Sequence, residues 1–152
     1  MTILLRKATE SDLPILYEQQ LDPEATAMAA FPSRDYDAFM AHWTKTMKNE
    51  KNIVLVVLYN NQIAGSLMNW EMAGEWEVGY WYGREYWGKG IATQALKEYI
   101  STVQTRPLYA HVAKQNIGSR RVLEKCGFKV IGEDTYTNPA EVEVAEFILK
   151  LE

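Results

Sequence analysis

A single cysteine, Cys126, is all the thiol chemistry available to this chain of 152 residues. An internal disulfide is excluded, and a reducing compartment is implied. Long apolar runs are missing as well: none approaches the roughly 18–20 residues that span a bilayer. The opening Met1 to Arg6 has no basic region followed by an apolar stretch. No signal peptide is therefore expected, and the protein reads as cytoplasmic. Basic residues are outnumbered, 16 Lys and Arg against 20 Asp and Glu, for a net charge of −4. That balance argues against a general nucleic-acid binder, which needs a basic stripe. Repeats, low-complexity tracts and linkers are absent, so residues 1–152 are expected to form one domain with a full core. No metal site is expected.

What the chain does have is an aromatic, strand-like run, Trp76 to Tyr82, followed by a glycine loop. After the loop, Ile91, Ala92, Ala95, Leu96, Tyr99, Ile100 and Val103 recur at helical spacing. The loop itself reads R-E-Y-W-G-K-G from Arg84 to Gly90. Gly88 and Gly90 let the backbone approach a ligand closely and take positive φ without strain. The helix start offers unpaired N–H groups and the positive end of a dipole. Together these suit an anion, most naturally phosphate; a tight strand-to-helix turn with nothing bound is the equal alternative on the loop alone. Two nucleotide fingerprints are excluded. A Walker loop needs Ser or Thr where Gly90 follows Lys89, and the G-x-G-x-x-G pattern has Thr93 in place of its third glycine.

Along the chain, Ile3 to Lys7 is a predicted strand. Thr9 with Asp12 is a weak capping box that opens a helix to about Gln20. Asp22 to Ser33, with Pro23 and Pro32, reads as a loop or broken helix. Ser33 is predicted to cap a second helix with Asp35 and Asp37 in its first turn and Tyr36, Phe39, Met40, Trp43 and Met47 as its apolar stripe. Asn52 to Tyr59 is a continuous apolar run, the mark of a strand covered on both faces. Asn60 and Asn61 suit a two-residue hairpin turn before Gln62 to Trp70. Leu108 to Val112 is a fifth strand, and Asn116 caps a helix that Gly127 ends. Phe128 to Ile131 and Val142 to Leu151 close the chain as an antiparallel pair. The change of apolar phase between Val144 and Phe147 suggests a bulge there. The predicted order is β-α-α-β-β-β-α-β-α-β-β, an α+β domain.

Two motifs on this frame resemble the GNAT superfamily of acyl-CoA N-acyltransferases. Glu85 to Gly90 is similar to that family's Q/R-x-x-G-x-G/A pyrophosphate loop, with Glu85 at the first position and Arg84 beside it. Asn116 to Phe128 resembles the N-x-x-[AS]-x-x-x-[YL]-x-K-x-G-F signature that follows the fifth strand. The N-x-x-S form, with Gly79, Tyr80 and Trp81 before the loop, is closest to the branch containing ribosomal-protein N-terminal acetyltransferases. The resemblance covers nearly the whole chain. It implies the GNAT fold, a central, mostly antiparallel mixed sheet flanked by helices, with acetyl-CoA as co-substrate and an amine as acceptor. By resemblance, the backbone of Tyr80, Trp81 and Tyr82 would pair with the pantetheine amides. The N–H groups of Gly88, Lys89, Gly90, Ile91, Ala92 and Thr93 would bind the pyrophosphate. Asn116 would bond the pantetheine arm, with Ser119 close to the sulfur. Arg84, Lys89, Arg120 and Arg121 are candidates for the nucleotide phosphates, against the plain alternative of solvated surface charge. A homodimer is left open.

Acyl transfer needs a neutral amine. A lysine-like amine costs roughly 4–5 kcal/mol to neutralise at pH 7, an α-amine about 1. Glu75 and Glu77 share one face of a strand with Gly79 and Trp81, and Glu77 is the candidate base, directly or through water. Its structural alternative is a cross-strand ion pair. His111 is the second candidate. Many relatives place a tyrosine acid where Leu123 stands, so Ser119, through a water, is the expected proton source, or none is dedicated; a thiol pKa near 8.5 makes the leaving group undemanding. Cys126 reads as core, which favours direct attack in a ternary complex over an acetyl-enzyme. Met28, Phe31 and Trp43 are the candidate walls of the acceptor site, with Asp22, Glu24 or Asp35 as charge partners, although Trp43 reads better as core. A CoA-binding module without turnover is the rival reading, sustained by Glu85 and Leu123.

Overall fold

The computed structural model describes residues 2–152. Its strands are β1 (Ile3–Lys7), β2 (Ile53–Tyr59), β3 (Gln62–Met72), β4 (Glu75–Tyr82), β5 (Leu108–Ala113), β6 (Lys129–Thr137) and β7 (Glu143–Leu151). The helices are α1 (Leu13–Gln20), α2 (Pro23–Ala29), α3 (Tyr36–Lys48), α4 (Ile91–Thr102) and α5 (Ile117–Lys125). One mixed sheet runs β1-β2-β3-β4-β5-β7-β6, and among the described residues only β4 and β5 pair in parallel. The α+β reading and its mostly antiparallel sheet hold.

The apolar run of β2 is explained by cover on both sides. Val57 joins Leu67, Val78, Leu108 and Leu149 against α4 and α5, where Ile91, Leu96, Tyr99 and Leu123 are buried. Val54 and Val56 face the other way, against Leu13 and Leu16 of α1 and Phe39 and Trp43 of α3. Burying each such side chain stabilises the fold by about 1.5–3 kcal/mol. Asn60 and Asn61 do turn the β2–β3 hairpin, with φ of 50° and 67°.

One open expectation is settled and two need correction. The segment expected as loop or broken helix contains α2: the Asp22 side chain accepts the Glu24 N–H at 3.0 Å, Pro23 fits the first turn, and alanines carry it to a left-handed Ala30. Asp35, not Ser33, caps α3, accepting the Ala38 N–H at 2.8 Å. The bulge lies in β6, not β7, because Val130 pairs with Leu149 and Gly132 with Ile148, leaving Ile131 over. The phase change in β7 has another cause. Phe147, Leu149 and Leu151 face the larger core, while Val144 and Glu146 are buried on the opposite face.

Candidate active site

β4 pairs with β3 along its whole length, but with β5 only at Trp76–Leu108 and Glu77–Tyr109. Past Glu77 the two strands part while β5 stays paired with β7, so the β4 edge from Val78 to Tyr82 has no β5 partner. The wedge continues into a cleft of about 460 Å³ walled by β4, α2, the start of α4 and one face of α5. Tyr80, Trp81, Tyr82, Gly88, Gly90, Ile91, Ala92, Thr93, Asn116 and Ser119 all line it. Lys89 lies outside the lining, as does Phe31, whose ring sits 5.6 Å from the Arg34 guanidinium. Met28 does line the cleft. Trp43 is core, stacked on Phe39 at 5.3 Å.

The glycine loop has the conformation its sequence calls for. Gly88 and Gly90 have φ of 74° and 79°, and Gly90 caps α4. The Gln94 N–H bonds the Gly90 carbonyl at 3.1 Å. The N–H groups of Ile91, Ala92 and Thr93 precede that bond and have no helical carbonyl to meet. Nothing lies within 4 Å of where a Cβ on Gly88 would stand, so space is open above the loop. Arg84 does not serve the loop: it bonds Asp22 at 3.1 Å and Glu24 at 2.9 Å, pinning the loop's start to α2. Arg120 is also turned aside, over the Phe147 ring at 4.5 Å. The cations on the cleft are Arg121 and Lys125. Their spacing of one helical turn puts both on one face of α5, a signal that could have added Lys125 to the sequence reading. Tyr86 and Trp87 line the cleft too, and the Trp87 indole N–H is held by the Tyr82 carbonyl at 3.1 Å.

At the start of α5, the Asn116 side chain accepts the Ser119 N–H at 3.2 Å. The Ser119 hydroxyl lies 2.9 Å from the Tyr80 phenol, which also reaches the Ser119 carbonyl at 3.2 Å. Burial pushes that phenol far above its ordinary pKa, so it stays neutral. Leu123 is packed into the core, and Cys126 is buried with its thiol pushed up by desolvation.

Glu77 and His111, alternatives in the sequence, are partners in the structure. Glu77 Oε1 lies 2.7 Å from His111 Nε2, and Glu146 Oε1 lies 2.8 Å from His111 Nδ1. Hydrogen bonds to Glu146 and then Glu77 raise the imidazole pKa to about 10, outweighing its partial desolvation. Burial pushes the Glu146 carboxyl up, His111 pulls it down, and Asp134 pushes it up again. Glu77 is 3% exposed and does not line the cleft; its Oε2 is buried without a partner. Glu146 and Asp134 were absent from the sequence reading, because nothing local reveals that β7 inserts beside β5.

Residues 2–129 match the family model described as "Acetyltransferase (GNAT) domain". A Bacillus licheniformis protein named uncharacterized N-acetyltransferase p20 is 26% identical over 143 residues, 86% of this chain and 80% of that one. A ribosomal-protein-alanine N-acetyltransferase from Brucella melitensis has a similar structure, with a TM-score of 0.80 at 21% identity over 97% of this chain and 98% of the other. A spermidine N-acetyltransferase from Vibrio cholerae, solved with CoA and spermine, also gives 0.80, at 18% identity over 97% and 94%. At these identities the two structures speak for the fold.

Proposed function

This chain belongs to the GNAT acetyltransferase family, and from that premise we propose that it moves an acetyl group from acetyl-CoA to a primary amine by direct attack in a ternary complex. The acceptor is a small-molecule amine or a protein N-terminus. We take it to act as one domain over residues 1–152, in the cytoplasm, where its lone thiol stays reduced. The observation that carries the reading is the wedge: a strand edge without a partner leads onto a helix start with unbonded N–H groups. An amide-bearing arm suits the first and a pyrophosphate the second. Arg121 and Lys125 add positive charge to the same cleft.

Acetyl-CoA supplies the acetyl group as an activated thioester. The N–H groups from Gly88 to Thr93 hold the phosphates, and the edge of Tyr80 to Tyr82 with Asn116 aligns the arm. Glu77, which lies behind the cleft lining, takes the amine's proton through water. Ser119, bonded to the neutral Tyr80 phenol, is the group placed to return a proton to the leaving sulfur. Met28 bounds the acceptor side. Thiol release from acetyl-CoA, measured across polyamines, lysine-type amines and peptides with free N-termini, tests the proposal. At least one amine should give turnover above hydrolysis, with an acetylated product by mass. Binding of CoA with no turnover across the panel would leave the non-catalytic module as the better reading.

A further inference from the structure

Four neighbouring strands each place one ionisable side chain on the same face: Glu77 on β4, His111 on β5, Glu146 on β7 and Asp134 on β6. Register brings them together. Glu77 lies opposite Tyr109, two residues before His111; Glu146 lies opposite Ala113, two residues after it, and opposite Asp134 on its other side. The imidazole spans two carboxylates, at 2.7 and 2.8 Å. A ring that donates to a carboxylate at each nitrogen does so as imidazolium. Asp134 stands behind, within 4.8 Å of the bonding atoms of His111 and Glu146. The His111 side chain is 31% exposed while that of Glu77 is 4%, so His111, with Asp134 behind it, meets water and covers the carboxylate beneath it.

We infer that His111 is a positioning residue for the transfer: backed by Glu146 and Asp134, it occupies one oxygen of Glu77 and leaves the other to take the acceptor's proton. This rests on Glu77 being the base. The proton bookkeeping is simple. The ammonium N–H bond breaks to a water in the cleft, that water passes a proton to Glu77 Oε2, which lies behind the cleft lining, and Glu77 becomes a neutral acid that later yields the proton to water. His111 keeps both of its protons throughout. Its charge matters because a buried carboxylate with no cation beside it holds a proton to higher pH and is a spent base before the substrate arrives. The titratable groups facing the ring are Glu77 from β4, Glu146 from β7 and, behind it, Asp134 from β6. Tyr136 on β6 lies near Glu146 and Asp134, which together with burial push its phenol up. α2 meets the end of β5 through the Ala27 carbonyl and the Gln115 side chain, and its Glu24 is paired with Arg84.

The test is a cycle of His111→Asn, Glu77→Gln and the double variant, with kcat/KM followed against pH on an accepted amine and acetyl-CoA affinity measured by calorimetry. His111→Asn should lower kcat/KM by about 10–100-fold, the scale for residues that orient a reacting group, and move the acidic limb to higher pH. The double variant should be no slower than Glu77→Gln alone. Should His111→Asn fail to fold, 15N spectra of the histidine ring decide: both nitrogens protonated near pH 7.5 in the wild type, with the titration moved down in Glu146→Gln. A slow Glu77→Gln beside a His111→Asn with wild-type rate and pH profile sinks this inference and spares the base. A normal Glu77→Gln removes the base reading, and this inference with it. A neutral ring at pH 7.5 overturns the inference. So does Zn²⁺ or Mn²⁺ binding at micromolar level through His111, Asp134 and Glu146 with a gain in rate.

Discussion

Glu77 Oε1 and His111 Nε2 stand 2.7 Å apart just where β4 and β5 begin to separate. The pair therefore closes the apex of the wedge, joining the parallel strands through side chains where their backbones no longer meet. A carboxylate so buried needs a partner, and the imidazole gains one at each end.

The same contact makes stability depend on alkaline pH. The folded imidazole has a pKa of about 10, raised from an ordinary 6.5. A raised pKa means the folded state binds the proton more tightly, so its contribution is complete below about pH 6.5 and disappears as pH climbs through 10. The melting temperature of the wild type should fall across that window, and His111→Asn should flatten the fall. Parallel slopes in the two proteins would place the alkaline loss in other groups.

Asp12 gives the opposite limb. Both its oxygens accept from Arg6 at 2.8 Å, and one also accepts the Thr9 N–H at 2.8 Å. The Arg6 guanidinium holds the carboxyl down at about 2, against an ordinary 3.8. A lowered pKa contributes stability above about pH 4 that is lost as pH falls toward 2. With Arg6 partly in solvent the contribution at neutral pH is about 1–2 kcal/mol. Asp12→Asn should lose that amount at pH 7 and show no further loss between pH 4 and 2, by urea unfolding. An acid slope as steep as the wild type's would mean Asp12 is not its source.

Gly90→Val bears on the glycine loop. Gly90 caps α4 at φ 79°, where a β-branched residue is strained, and the change disturbs the N–H groups assigned to pyrophosphate. Acetyl-CoA affinity should fall strongly in a variant that remains folded. Lys89 lies outside the cleft lining, so Lys89→Ala should cost less, and its effect should shrink with added salt. Equal affinity for the folded Gly90 variant would remove the pyrophosphate assignment.

The glycine loop, the strand before it and the helix after it were legible because all three signals are local: period two, positive-φ residues and period 3.6 in succession. The β2–β3 turn was legible for the same reason. α2 was not, since a short helix of alanines after proline carries no amphipathic stripe. Arg84 pointed to phosphate by position, yet Asp22 and Glu24, some 60 residues earlier, hold it. The array around His111 was beyond reach because it depends on strand order. A carboxylate on β7 reads as an outward residue until β5 and β6 are known to flank it.

Glu77→Gln is the test on which the chemistry turns. The amide keeps the size and one hydrogen-bonding oxygen toward His111, which Glu146 still holds from the other side, so fold and acetyl-CoA affinity should be retained. As the base is lost, kcat/KM should fall by roughly 10²–10⁴, and the acidic limb of the pH profile should vanish. The deficit should be larger for a lysine-type amine than for an α-amine, because neutralising them at pH 7 differs by roughly 3–4 kcal/mol. The two acceptor classes thereby separate loss of a base from loss of packing, which would slow both alike. Normal rates with an unchanged profile would make Glu77 a structural partner of His111 and leave the amine's proton to solvent.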